Sequence, residues 1–117
     1  MAGVTDPAKQ VHVGELYAPF SNTEFHAIDA AGFCKLGESV PMLREGAWEI
    51  GGKLPVNPSG GTLCTNAIAV TAMIRAAEVA LQVWGRAGEH QVEGASVGIA
   101  SGNGGDHQFF GAMVIEA

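Results

Sequence analysis

Leu54-Pro-Val-Asn-Pro-Ser-Gly-Gly61 leads, four residues later, into Asn66-Ala-Ile-Ala-Val-Thr-Ala-Met-Ile-Arg-Ala-Ala-Glu-Val-Ala-Leu-Gln-Val-Trp84. The first stretch closes a loop, Gly51 to Gly61, in which four glycines and two prolines surround a short extended piece, Leu54 to Val56. The second reads as one long helix. Thr71, Arg75, Glu78 and Gln82 recur four, three and four residues apart, which is a single narrow stripe at helical spacing. After Asn66 the rest of the stretch is apolar or alanine. The spacing predicts a helix buried over most of its girth, with Met73, Ile74 and Leu81 in the core. The polar stripe is expected to face solvent, and Gly85 to stop the helix.

Upstream, Val11 to Tyr17 partly alternates and reads as a strand weakened by Gly14. Ser21-Asn22-Thr23-Glu24 matches a capping box, with Phe20 and Phe25 placed as a hydrophobic staple. Gly32 or Gly37 would end that helix. Ser39 to Arg44 suits one or two helical turns, stopped by Gly46. Downstream, Gly85 to Gly94 is a polar link. Ala95 to Ala100 and Phe109 to Ile115 read as strands, joined as a hairpin by Gly102-Asn103-Gly104-Gly105-Asp106. There is no internal repeat. The expected fold is α/β, a mixed sheet with a long buried helix. Residues 1–10 read as a leader or linker and 11–117 as one domain.

Composition narrows the function. Hydrophobic residues make up 47% and charged residues 15% of the 117, too apolar for a disordered chain. So few charges suggest surface covered by a partner. The formal net charge is −6 and no basic run occurs, which leaves nucleic-acid binding without a basis. Arg75, Glu78 and Gln82 interrupt the longest weakly polar stretch, which argues against a membrane span. Met1 to Pro7 lacks the charged-then-apolar pattern of an export signal. With Cys34 and Cys64 as its two cysteines, the chain is expected to be cytoplasmic with free thiols.

Few residues suit chemistry by spacing alone. His12, His26, His90 and His107 show no zinc-ligand spacing with one another or with the cysteines, so no metal site is expected. Gly102 to Gly105 does not run from a strand into a helix, so it is no dinucleotide fingerprint. It is a hairpin turn, or a place where backbone comes close to a ligand. Ser59, Gly60 and Gly61 stand just before the long helix, where free amides could meet an anion or a developing oxyanion. A plain helix-entry loop is the alternative. Cys64 is an activated thiol or, as is commoner, a buried free cysteine.

Taken together, Leu54 to Gly61, the long helix and Trp84-Gly-Arg-Ala-Gly-Glu-His-Gln-Val-Glu-Gly94 resemble the C-terminal part of the thiolase superfamily. The likeness is to sterol-carrier-protein type thiolases and their lipid-transfer relatives, which include steroid side-chain aldolases. Glu15-Leu-Tyr-Ala-Pro-Phe-Ser21 is similar to the upstream active-site loop of that group, and the resemblance runs from about Val11 to Ile115. It implies a duplicated α/β protein whose N-terminal half carries the nucleophilic cysteine, with the long helix lying between the halves. The substrate would be a coenzyme A thioester, and no other cofactor is implied. The implied partners are an N-terminal thiolase half or another copy of the chain, and a small OB-fold protein.

The chain departs from that group at its catalytic positions. Tyr17-Ala18-Pro19-Phe20 replaces His-Asp-Cys-Phe, and Thr65-Asn66-Ala67 replaces Gly-His-Pro. Ala69 and Ala72 stand where relatives usually have glycine. Ser101 and Asn103 stand where relatives often have histidine and tyrosine. By this alignment Tyr17 and Asn66 face the reacting centre, with Ser59, Gly60, Gly61, Gly104 and Gly105 as substrate-binding backbone walls. The resemblance thus implies the C-terminal part of a protein for acyl transfer, thiolysis or retro-aldol cleavage. The alternative is a non-catalytic partner that keeps the fold.

Overall fold

The computed structural model describes residues 3–104 and 108–117. Among these, β1 (Val13–Glu15), β2 (Val97–Gly104) and β3 (Phe109–Glu116) form one sheet in the order β1-β2-β3. β1 runs parallel to β2, with Val13 opposite Gly98 and Glu15 opposite Ala100. β3 returns antiparallel from Gly104 opposite Phe109 to Val97 opposite Glu116. The expected mixed sheet and hairpin are present. β2 continues through Gly104, so Gly102 to Gly104 are strand rather than turn, while Gly105, Asp106 and His107 lie outside the described residues. The extended piece at Leu54 to Val56 adds a parallel bridge between Val56 and Gly14.

Helices cover both faces. Strand alternation sends Val13 and Glu15 to one face and Gly14 to the other. On Gly14's face lies the main core of Leu16, Ile28, Phe33, Trp48, Leu54, Val56 and Ile99. It is closed by α2 (Ser21–Ala30) and α3 (Ser39–Arg44). A turn of helix, α1 (Pro7–Gln10), leads in, with Val4 packed on this core. On the other face, Val79 and Val83 of α5 (Thr71–Val83) pack on Ala100. Gly98 and Gly102 permit this close approach. A Cβ at Gly98 would lie 2.5 Å from Val79 Cγ1, and one at Gly102 would strike Ala72.

Several expectations need correction. The first strand stops at Glu15, because the next three amides donate to side chains instead of a ladder. α2 is capped at Phe20, not Ser21. Phe20 N donates to Thr23 Oγ1 at 3.2 Å, and Thr23 Oγ1 donates to Phe20 O at 2.7 Å. Phe20 is 66% exposed and therefore no staple. The long helix, α5, begins at Thr71 rather than Asn66; a separate short helix, α4 (Gly61–Cys64), precedes it, and in the connection Ala69 takes φ 76°. The stop at Gly85 holds. Gly85 N donates to Gln82 O and Arg86 N to Leu81 O, with Gly85 at φ 67°, the glycine-ended closure of a helix.

The largest correction concerns the face of α5. Thr71, Arg75 and Gln82 of the polar stripe are buried, and Met73 is 71% exposed. The period was right, but the stripe turns inward at Thr71, Arg75 and Gln82, while Ile74 and Leu81 are half-buried. Each stripe residue has an internal polar partner, which offsets most of the cost of burying it, though Arg75 Nε is left without one among the described residues. Gln82 Nε2 donates to His90 O and Gln82 Oε1 accepts from Val92 N, both at 2.7 Å, while Glu78 meets His90 at 3.1 Å. α5 is therefore buried on one side only in this chain.

Candidate functional site

The site is built around a carboxylate inside the protein. Glu15 is fully buried, placed by strand alternation on the α5 face. Arg75 Nη1 donates to Glu15 Oε2 at 2.7 Å. Ser59 donates to the same carboxylate twice, from its amide at 3.1 Å and its hydroxyl at 2.9 Å. Arg75 Nη1 also reaches Ser59 Oγ at 2.9 Å. Burial pushes the Glu15 carboxyl above its ordinary range, and the Ser59 amide, Arg75 and the Ser59 hydroxyl hold it back only in part.

Next to this cluster the segment after β1 is held at three consecutive amides. Leu16 N donates to Asn57 Oδ1 at 2.7 Å, Tyr17 N to Ser101 Oγ at 2.9 Å and Ala18 N to Thr62 Oγ1 at 2.9 Å. The acceptors come from the glycine-rich loop, β2 and α4. Asn57, at φ 52°, also donates from Nδ2 to Glu24 Oε1 at 2.6 Å, which joins α2 to the same array.

Tyr17 and Ser59 to Gly61 are thus linked through the Leu16–Asn57 and Ala18–Thr62 bonds. Asn66 is not part of this network. It is exposed, and its side-chain oxygen lies 3.0 Å from Thr71 Oγ1, which donates to Ala67 O at 2.7 Å. Gly104 is exposed at the far end of β2, and Gly105 lies outside the described residues. The amides of Ser59, Gly60 and Gly61 are already occupied, by Glu15 Oε1, Asn57 O and Ser59 Oγ respectively. The expectation of free donors there does not hold. Cys64 is exposed rather than buried. Among the described residues no group of three or more His, Cys, Asp or Glu side chains could hold a metal ion.

A groove of about 630 Å³ opens between the start of α5 and the hairpin. Ala72, Ala76, Ser101, Gly102, Phe109 and Phe110 are among the residues that line it. Sequence reading missed Glu15 and Arg75 as a buried pair. The available signal was the parity of Glu15 with Val13.

A family model described as thiolase C-terminal domain-like matches residues 1–117. The chain belongs to this family. It is 38% identical over 92 residues to an acetyl-CoA acetyltransferase of Methanothermobacter thermautotrophicus, covering 78% of this chain and 24% of that one. It is 34% identical over 90 residues to human sterol carrier protein 2, covering 76% of this chain and 16% of that one. The solved structure of an Ltp2-ChsH2(DUF35) aldolase superposes with TM-score 0.72 at 26% identity, over 91% of this chain and 27% of that one. The chain therefore spans about a quarter or less of the length of these relatives. Among the described residues no helix is long and apolar enough to cross a membrane.

Proposed function

We propose that this thiolase-like domain is the C-terminal part of an acyl-CoA-processing protein that cleaves carbon–carbon bonds by retro-aldol chemistry once joined to an N-terminal half. The observation that carries this reading is Tyr17, whose amide donates to the hydroxyl of Ser101, a residue that lines the apolar groove. A tyrosine phenolate can take the proton of a 3-hydroxyl group and so become the phenol that can return it. The bond between carbons 2 and 3 then breaks, the hydroxyl carbon becomes a ketone, and the thioester enolate takes up a proton at carbon 2. Asn66 cannot serve as a base near neutral pH, but its amide can donate to the enolate oxygen. Ser59 to Gly61 and Gly104-Gly105 are the backbone walls in this reading.

Support comes from the aldolase among the similar structures and from the residues present. No histidine or cysteine stands at 17–20 or 65–67, which suits a tyrosine-based aldolase better than a thiolysis enzyme. The N-terminal half is the partner, and a small OB-fold protein is a further one. The second reading, a non-catalytic subunit, is favoured by the occupied amides of Ser59 to Gly61.

The test is to express the chain with an N-terminal thiolase-like half and supply a branched 3-hydroxyacyl-CoA. Release of free ketone, lost in Tyr17→Phe, supports the aldolase. Thiolysis of acetoacetyl-CoA without ketone release from the branched substrate would overturn it. A complex that forms and turns over neither substrate points to the non-catalytic subunit.

A further inference from the structure

Ser101 is 5% exposed on β2, and its hydroxyl accepts the amide of Tyr17, 84 residues away, at 2.9 Å. The amides on either side are held separately, Leu16 by Asn57 and Ala18 by Thr62. In a ladder, alternate amides would go to carbonyls of the strands on either side. Here three side chains from three segments each fix one amide, so each can be removed singly. The middle bond is the one that ties the Tyr17 segment to the strand lining the groove.

We propose that Ser101 is a positioning residue that fixes the Tyr17 backbone to β2, the strand whose residues 101–104 line the groove. This rests on the reading of Tyr17 as the group that meets substrate, but its test needs no turnover. Tyr17 is the one tyrosine in the sequence, so 3-fluorotyrosine labelling gives a single reporter. Replacing the hydroxyl leaves the Tyr17 amide without its acceptor and frees the backbone at that one residue.

The experiment is amide hydrogen exchange by NMR, with 19F spectra of the labelled 117-residue chain carrying Met73→Glu throughout to limit self-association, for the wild-type serine, Ser101→Ala and Ser101→Thr. The Tyr17 amide should exchange about tenfold faster or more in Ser101→Ala, and the fluorine line should move or broaden. Leu16 and Ala18 should change less than about twofold. Ser101→Thr, which keeps the hydroxyl, should restore both signals. A Tyr17 amide and fluorine line unchanged in Ser101→Ala would overturn the proposal. So would equal acceleration at Leu16, Tyr17, Ala18 and the β2–β3 amides, which would mean a general loosening. If Ser101→Ala does not fold, Ser101→Cys decides in its place, because sulfur accepts poorly at nearly the same volume. A Tyr17 amide as protected in Ser101→Cys as in wild type would then overturn it. In the assembled protein, inactivity of Tyr17→Phe bears on the proposed function alone, so the two failures stay separable.

Discussion

Arg75 and Glu15 form an ion pair at 2.7 Å with side chains 2% and 0% exposed, fastening α5 to β1 across 60 residues of sequence. The pair sits beneath Ser59 and so also pins the loop that leads into α4. Arg75 Nε has no hydrogen-bond partner among the described residues. A buried pair gives weak net stability, because desolvation offsets much of the attraction, but breaking it from one side is costly.

Breaking the pair should be costly from either side. Burial raises the Glu15 carboxyl, so its charged form is the one the fold disfavours. Arg75→Ala leaves that carboxylate without its cation and should cost about 3–5 kcal/mol in a urea melt at neutral pH. Glu15→Gln keeps the shape but leaves the Arg75 guanidinium buried without its anion, and should also cost about 3–5 kcal/mol. A loss under about 1 kcal/mol from either substitution would contradict a buried ion pair here.

The sign of the pH dependence follows from the same shift. The ordinary glutamate value is 4.5, and the folded value is higher. The contribution of Glu15 is complete below the ordinary value and declines as pH rises through the folded one. Glu15→Gln lacks that decline. Its stability relative to wild type should therefore rise between about pH 4 and pH 7. A relative fall over that range, measured by urea midpoint, would show that the pair lowers the carboxyl instead.

The faces of α5 give a direct contrast. Gln82 is fully buried and bonds to His90 and Val92, whereas Met73 is 71% exposed. Gln82→Ala should cost about 1–3 kcal/mol, since it leaves a buried amide and a buried carbonyl without partners. Met73→Ala should change stability by less than about 0.5 kcal/mol in the isolated chain. The reverse ranking would restore the apolar face to the core.

Much of the fold was legible because it follows from local rules. The hairpin, the Gly85 stop and the extended piece at Leu54 to Val56 rest on turn chemistry and short-range patterning. What failed depended on partners distant in sequence. Polarity told that Thr71, Arg75, Glu78 and Gln82 share a stripe, but not that Glu15 and the 90–92 segment wait inside to receive it. The same holds for Leu16 to Ala18, whose extended pattern looks like strand although Asn57, Ser101 and Thr62 take its amides. Of the candidate site, Tyr17 and the 59–61 loop emerge as neighbours in one network. Asn66, in contrast, is joined to the start of α5.

The two thiols should differ in reactivity. Cys34 donates to Asp29 Oδ1 at 3.2 Å, and burial, that bond and the Asp29 charge push its thiol up to about 11. At pH 8 only about one molecule in a thousand would carry the Cys34 thiolate, the reactive form. Cys64 is exposed. Titration of the native chain with a disulfide reagent at pH 8 should show one fast thiol, absent in Cys64→Ser, and both thiols in urea. Fast modification of Cys34 in the Cys64→Ser chain would contradict this environment for Asp29 and Cys34.

The outer surface sets the final expectation. Ile68 is 89% exposed, Met73 71%, Phe109 73% and Phe110 68%, so apolar groups lie open on the connection before α5, on α5 and on β3. β3 is also an edge strand, and its eight residues carry no proline and no lysine, the devices that usually discourage pairing with another chain. The chain spans about a quarter or less of its relatives, which leaves most of a thiolase-like protein to cover this surface. The isolated chain should therefore self-associate and bind an apolar dye, and adding an N-terminal thiolase-like half should give a defined complex with the dye displaced. Light scattering at about 50 μM measures both states, a concentration at which micromolar association is populated. Met73→Glu and Phe110→Glu should each reduce self-association and leave the urea midpoint nearly unchanged. A monodisperse monomer that binds no dye would show that the chain closes its own core and stands as an independent module.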